Sequence, residues 1–371
     1  MPAITARSAL PLLLGLTLTL GGCSSSPDKD APPFISTQTY LKSAYSAQAH
    51  FKFASFDTRW AWDKHEVDVA LLVPEGGHNL PVIIYLPGLG EGANGGELWR
   101  QTWADAGYAV LSVQATRDNG SIYSSSNARD GAFRTIAANA FADGPAAIRI
   151  EEVDRILAEA RRRGQAGEPG FAALDTQKVA VAGFDLGAQT AAALSGERLP
   201  GQPRPLAWKP LATIVLSPYV PGGADARRYT QIDTPLLAIT GPLDEDPFSW
   251  VTSAQQRQGL FSGLPGDGYQ LILDDATHAV LSGTIAKPDK TEKKPRSGAA
   301  GMDGGGMEGG GRGQRGARPA SPGFDARQAG SIAAVTIAFL DARVKQSTVA
   351  QAWLDQQAKA WLAPVGSLQR K

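Results

Sequence analysis

Apolar and polar positions along this chain follow two different rhythms. "HFKFASF" (50–56) and "EVDVALLVP" (66–74) alternate apolar with polar side chains. A period of two belongs to strands with one wetted face, so this pair predicts antiparallel strands. The next runs are short and almost continuously apolar: "PVIIYL" (81–86), "YAVLSVQ" (108–114), "KVAVAGF" (178–184), "ATIVLS" (212–217) and "PLLAIT" (235–240). Such runs suit strands buried on both faces. Helical stretches such as "ELWRQTWADAG" and "IRIEEVDRILAEARRRG" lie between most of them. The alternation predicts an α/β fold with a mostly parallel central sheet, antiparallel N-terminal strands and helices on both faces. Helical periodicity returns in "SIAAVTIAFLDARVKQ" and "VAQAWLDQQAKAWL", which close the domain.

Two segments break the pattern. At the N-terminus, Arg7 precedes the apolar run "ALPLLLGLTLTL" and then "GGCSSSPDKD", the charged start, apolar middle and small-residue end of an export signal. The run is too short for a comfortable membrane span. Cys23, the one cysteine of the chain, ends "LGGC". That site resembles the lipobox of bacterial lipoproteins, which implies a signal over 1–22, lipidation at Cys23 and a flexible tether over 23–45. With Ser24 following, similar lipoproteins reside in the outer membrane. The second segment, 287–324, is glycine-rich, basic and nearly free of large apolar residues; it predicts a disordered insertion within a domain spanning 46–345, with a C-terminal helix and tail over 346–371.

The overall balance, 36 basic against 36 acidic residues in 371, excludes the basic footprint of a nucleic-acid binder. "GLGEGANGG" lacks the Lys-Ser/Thr ending of a phosphate loop, and no metal-ligand cluster stands out, so neither cofactor nor metal is expected. Arg149, Asp154 and "ARRRG" read as a solvated helix face, Trp99 and Trp103 as packing residues, and "YSSSNARDG" as a polar loop bordering the site.

The candidate chemistry lies in four turns that follow predicted strands. "GFDLG" sets Asp185 between a buried strand and a helix, with Gly183 and Gly187 where the sharp reversal leaves no room for a Cβ. The helix starts just after Asp185, so the Leu186 amide is one candidate donor to a developing oxyanion. The other is Leu89 or Gly90, in the glycine-rich turn "PGLG" after the earlier strand. "GPLD" places Asp244 at the end of another strand; Asp246, two residues on, is its rival for the acid role, and the Gly-x-x-Asp spacing favours Asp244. "ATH" places His278 at a strand end, whereas the other three histidines of four, His50, His65 and His78, fall near the N-terminal strands. A carboxylate beside His278 would fix its tautomer.

These four turns, in this order, resemble the α/β-hydrolase family over residues 50–345, and more narrowly its capless dienelactone hydrolase and platelet-activating-factor acetylhydrolase branches. The resemblance implies a nucleophile at Asp185, an acid at Asp244 and a base at His278, with a small-molecule substrate. Members of that family usually carry serine at the elbow. Aspartate there is similar to haloalkane dehalogenases and epoxide hydrolases, in which the carboxylate attacks carbon and histidine activates the water that follows. Their cap domain has no room between "ATIVLS" and "PLLAIT". The sequence thus supports two readings: a hydrolase of small esters or related electrophiles, and a lipoprotein that binds a ligand or partner without turnover.

Overall fold

The strand runs pair into one sheet. The computed structural model describes residues 36–200, 206–222, 226–284 and 326–371, and its elements belong to the unit Thr37–Lys371. Cys23 and the 287–324 segment lie outside the described residues. Nine strands are found among those described: β1 (Phe53–Trp62), β2 (His65–Pro74), β3 (Leu80–Leu86), β4 (Ala109–Ala115), β5 (Leu174–Phe184), β6 (Thr213–Leu216), β7 (Leu236–Thr240), β8 (Gly268–Leu273) and β9 (Gly366–Arg370). Their spatial order is β1-β2-β4-β3-β5-β6-β7-β8-β9. β1 with β2, and β2 with β4, are antiparallel. From β4 across to β8 every neighbouring pair is parallel. The expected α/β architecture, with antiparallel strands at its N-terminal side, is what the chain forms.

Parallel neighbours need long crossovers, which bring helices over the sheet. The helices are α1 (Thr37–Lys42), α2 (Glu97–Asp105), α3 (Ser126–Arg129), α4 (Phe133–Ala140), α5 (Asp143–Gln165), α6 (Leu186–Leu194), α7 (Gly259–Gly263), α8 (His278–Ser282), α9 (Ala326–Arg343), α10 (Thr348–Gln356) and α11 (Ala358–Leu362). Strand side chains alternate between the two layers so formed. Ile83 and Tyr85 of β3, with Ala180 and Ala182 of β5, pack with Trp99, Trp103 and α9. Val82, Ile84 and Leu86, with Val179 and Val181, pack with α5 and α6. Trp99 and Trp103, four residues apart on one face of α2, have no exposed surface. Each indole N–H is satisfied, at Leu281 O (2.8 Å) and Thr336 Oγ1 (3.1 Å), so both are packing residues.

The ends of the domain depart from expectation. The stretch expected as tether up to 45 contributes α1 instead: Tyr40 is 2 % exposed and stacks on Trp361 at 4.5 Å. Its hydroxyl pairs with Ser331 Oγ at 2.7 Å. Burying an aromatic ring on both faces outweighs the entropy of ordering the few residues around it. At the other end, the expected tail forms β9, which pairs antiparallel with β8 and covers that sheet edge. Arg149, expected on a solvated face, is buried; it bonds Thr190 Oγ1, Gln189 Oε1 and Ala140 O. An arginine at that depth persists because several acceptors meet its guanidinium.

Residues 87–90, 185, 244 and 278 all follow the C-terminal ends of parallel strands, the edge where open α/β sheets bind ligands. The tightest fit on that edge is glycine. A Cβ on Gly187 would run into the backbone carbonyl of Leu86, and one on Gly183 into the carbonyl of Gly187. We therefore expect Gly187→Ala to cost about 3 kcal/mol or more, because backbone rather than a flexible side chain must move. Gly92→Ala, whose Cβ meets nothing within 4 Å, should stay within about 0.5 kcal/mol of the parent. Denaturant midpoints followed by circular dichroism measure both.

Candidate active site

Asp185 joins β5 to α6 with φ 51° and ψ −107°. An L-residue in that region is strained by roughly 1–3 kcal/mol, held here by the surrounding packing. Its backbone N–H bonds Leu216 O at 3.1 Å, and the residue is 3 % exposed. The Leu89 N–H donates to Asp185 Oδ2 at 3.3 Å. No other hydrogen bond reaches the carboxylate among the described residues, which leaves Oδ1 without a protein donor. Leu186 is the first residue of α6, so its N–H has no acceptor within the helix. Gly90 departs from expectation: its N–H is already given to Asp118 O at 2.8 Å. Leu89 and Leu186 remain as candidate oxyanion donors.

His278 opens α8, which Thr277 caps by accepting the Val280 N–H at 3.3 Å. Its ring lies 4.7 Å from that of Phe184, centroid to centroid. Nδ1 meets Asp244 Oδ1 at 2.8 Å, so an Nδ1–H donated to the carboxylate leaves Nε2 as the basic end. Ser217 Oγ, 3.0 Å from Nδ1, also donates to Asp244 Oδ1 at 2.8 Å. Thr240 Oγ1 donates to Asp244 Oδ2 at 2.8 Å. Beneath them Arg257 Nε lies 3.3 Å from Oδ2, and neither Arg257 nor Asp244 has any side-chain exposure. Arg257 Nε also donates to Asp244 O, and Nη1 to Ser217 O and Pro218 O. Burial alone would push the Asp244 carboxyl up; the hydrogen bond from His278 and the charge of Arg257 outweigh it and hold the carboxyl below the usual range.

The rival acid has a different task. Asp246 Oδ1 accepts the Phe248 N–H at 2.9 Å, and Oδ2 accepts the N–H groups of Trp250 and Val251 at 2.7 Å each. A carboxylate filled by three backbone donors is a turn cap, so Asp246 drops out as the partner of His278.

Three neighbours had no signal in the sequence. Ser217 and Arg257 are described above. The third is Glu91, inside the glycine-rich turn: Oε2 accepts the Gly88 N–H at 2.9 Å, and Oε1 accepts the Thr284 hydroxyl at 2.7 Å. It ties the oxyanion turn to the segment after α8. Burial pushes its carboxyl up, and the charge of Asp185 adds to that push.

Asp185 and His278 make no direct hydrogen bond or ion pair; they interact only through space. Burial pushes the Asp185 carboxyl up, while His278 and Arg257 pull it part of the way back. The aspartate therefore does not ionise as an exposed one does. Above it, Leu89, Ile122, Phe141, Leu186, Tyr219 and Phe248 form an apolar cluster. Among the described residues no group of three His, Cys, Asp or Glu side chains is placed to hold a metal ion.

No family model matches this sequence, and no curated protein does. What this arrangement can do therefore rests on its own geometry. One carboxylate oxygen faces an amide, the other has no donor among the described residues, and an imidazole nitrogen is oriented by a buried, charged aspartate.

A carboxyl raised by burial weakens the fold as pH climbs through its folded value, and costs nothing below its unfolded value. Asp185→Asn should therefore stabilise the protein at neutral pH, on the order of 1–2 kcal/mol. The gain should shrink to nothing in acid, below the ordinary aspartate range. Thermal melts of parent and variant across pH measure it; a gain independent of pH would contradict the assignment.

Proposed function

We propose that this chain is a hydrolase of small esters or related electrophiles, acting through Asp185, His278 and Asp244 in an α/β-hydrolase-type site. The observation that carries the reading is the division of labour within the Asp185 carboxylate, with Oδ2 on the Leu89 amide and Oδ1 carrying no protein hydrogen bond. An aspartate set at a strand-to-helix turn in this way is arranged for attack by one oxygen and charge stabilisation at the other.

In the first step Oδ1 attacks the electrophilic carbon. The leaving group departs with the electron pair of the broken bond, and Asp185 becomes an ester, or a mixed anhydride where the carbon is a carbonyl. In the second step His278 Nε2 takes a proton from water, whose oxygen adds to the Asp185 carboxyl carbon. The resulting oxyanion lies toward the Leu89 and Leu186 amides. Collapse breaks the bond between the Asp185 carboxyl carbon and Oδ1, which leaves with the product and takes the proton from His278; Asp185 is left with one oxygen from water and releases that oxygen's proton to solvent. Asp244 accepts the Nδ1–H throughout and stabilises the imidazolium.

The second reading, a lipoprotein that binds without turnover, has one observation in its favour. The carboxylate already occupies the Leu89 amide that a substrate carbonyl would use. Under either reading the protein works at the bacterial cell envelope, held to the outer membrane through lipidated Cys23, and takes a small molecule rather than nucleic acid. No helix among the described residues is long and apolar enough to cross a membrane.

With 4-nitrophenyl acetate as probe, we expect turnover by the wild type and a loss of about 10²–10⁴-fold in His278→Ala. A wild type without turnover, together with an Asp185→Ser variant that gains it, would select the binding reading. A single turnover in ¹⁸O-labelled water should also place label in the Asp185 carboxylate, read by mass analysis of its peptide. Turnover that leaves Asp185 unlabelled would mean the carboxylate directs water instead of attacking.

A further inference from the structure

A recess lies beside the elbow, with Leu89 in its lining. It encloses about 400 Å³ between the turn 117–127, α4 and the start of α5. Leu89, Ile122, Ile136, Pro145 and Ile148 give it an apolar lining, and Asp118 forms part of its wall. Asp118 is 5 % exposed. Carboxylates at that depth are normally met by several hydrogen-bond donors. Here neither carboxylate oxygen accepts a hydrogen bond from any described residue, and Oδ2 is fully shielded.

The two cations nearest Asp118 are directed elsewhere. Arg117 grips Glu152 through both terminal nitrogens at 2.6 and 2.7 Å. Arg149 is taken up by Thr190, Gln189 and Ala140 O. They approach Asp118 Oδ2 only to 3.6 and 3.8 Å. Their charges balance the carboxylate without filling its acceptor positions. A cationic ligand would meet the Arg117 guanidinium in the wall of the recess, and a carboxylate ligand would meet Asp118.

We propose that this recess is a specificity pocket for a compact apolar group carrying a neutral O–H or N–H donor, which bonds to the Asp118 carboxylate. Resting on the hydrolase reading, it further assigns the substrate class: a small ester whose apolar arm bears a hydroxyl or amide hydrogen. Leu89 links pocket and elbow, since it lines the recess and its N–H meets Asp185. Asp118 is a specificity residue here and takes no part in bond making.

Binding is measured without turnover, by ¹⁹F line-width titration of the full chain with 4-fluorobenzyl alcohol, 4-fluorotoluene and 4-fluorobenzoate. The alcohol should bind about tenfold more tightly than the toluene, as one hydrogen bond to a charged acceptor allows. The benzoate should bind most weakly. Asp118→Asn should reduce the preference for alcohol over toluene to about threefold or less. Ile148→Trp, at a partly exposed lining position, should fill the mouth and weaken all three probes. Equal affinities for alcohol and toluene in the wild type would overturn the proposal, as would an alcohol preference that survives Asp118→Asn or probe affinities left unchanged by Ile148→Trp. If the esters in the previous section are not turned over but these preferences hold, the hydrolase reading fails and the pocket stands; turnover without them has the opposite meaning.

Discussion

The candidate site depends on keeping a fully buried aspartate charged. Asp244 has no exposure, and the isolated burial of a carboxylate is prohibitive. Arg257 supplies the countercharge from below, Thr240 and Ser217 supply hydroxyl donors, and His278 supplies the remaining hydrogen bond. Buried ion pairs of this kind are weak evidence for stability, since an apolar replacement often folds as well. Their effect is geometric. With its other donors in place, Asp244 has one direction left for His278, and the imidazole is held so that Nε2 faces away from the carboxylate.

Asp185 completes the edge under an opposite constraint. Asp244 is held low by its partners, whereas Asp185 receives one amide at 3.3 Å and is otherwise pushed up by burial. Two carboxylates near one imidazole thus sit in environments that separate their affinities for protons. That separation is how acid and base roles are divided in a shared site. It also changes the meaning of aspartate at the elbow. An exposed carboxylate is ionised at any neutral pH, so position alone would make it a nucleophile. The buried one must also keep its charge, and His278 and Arg257 are the groups that help it do so.

Much of this was legible in the sequence because it was written in short-range patterns. Period-two alternation marked β1 and β2, continuous apolar runs marked the parallel strands, and Gly-x-Asp-x-Gly marked the turn at Asp185. Contacts made across the fold were not legible. Arg257 sits in the polar run "SAQQRQG" and reads as a surface residue, yet tertiary packing buries it completely under Asp244. The Gly-x-x-Asp spacing favours Asp244 over Asp246 but does not give the path of the loop. Only the backbone path decides that one faces His278 while the other collects the amides of 248, 250 and 251. Gly90 failed as a donor for a related reason: its acceptor, Asp118 O, comes from a different strand end. Arg149 and Tyr40 follow the same rule, since the partners that bury them lie far along the chain or on another element.

The turn after β3 shows how these parts are coupled. Three successive backbone amides leave it in different directions: Gly88 to Glu91 Oε2, Leu89 to Asp185 Oδ2, and Gly90 to Asp118 O. Glu91 in turn reaches Thr284, just beyond the helix that opens with His278. One short segment therefore touches the elbow carboxylate, the wall of the adjoining recess and the segment following the histidine helix. Reorienting any one of these amides breaks the hydrogen bond it makes. A ligand that displaced Asp118 or filled the recess would act on Leu89, and through its amide on the one hydrogen bond that the Asp185 carboxylate accepts. Glycine at 88 and at 90 suits this turn. A Cβ at Gly88 would strike the Phe184 ring, and Gly90 holds φ at 84°, a conformation that L side chains rarely adopt.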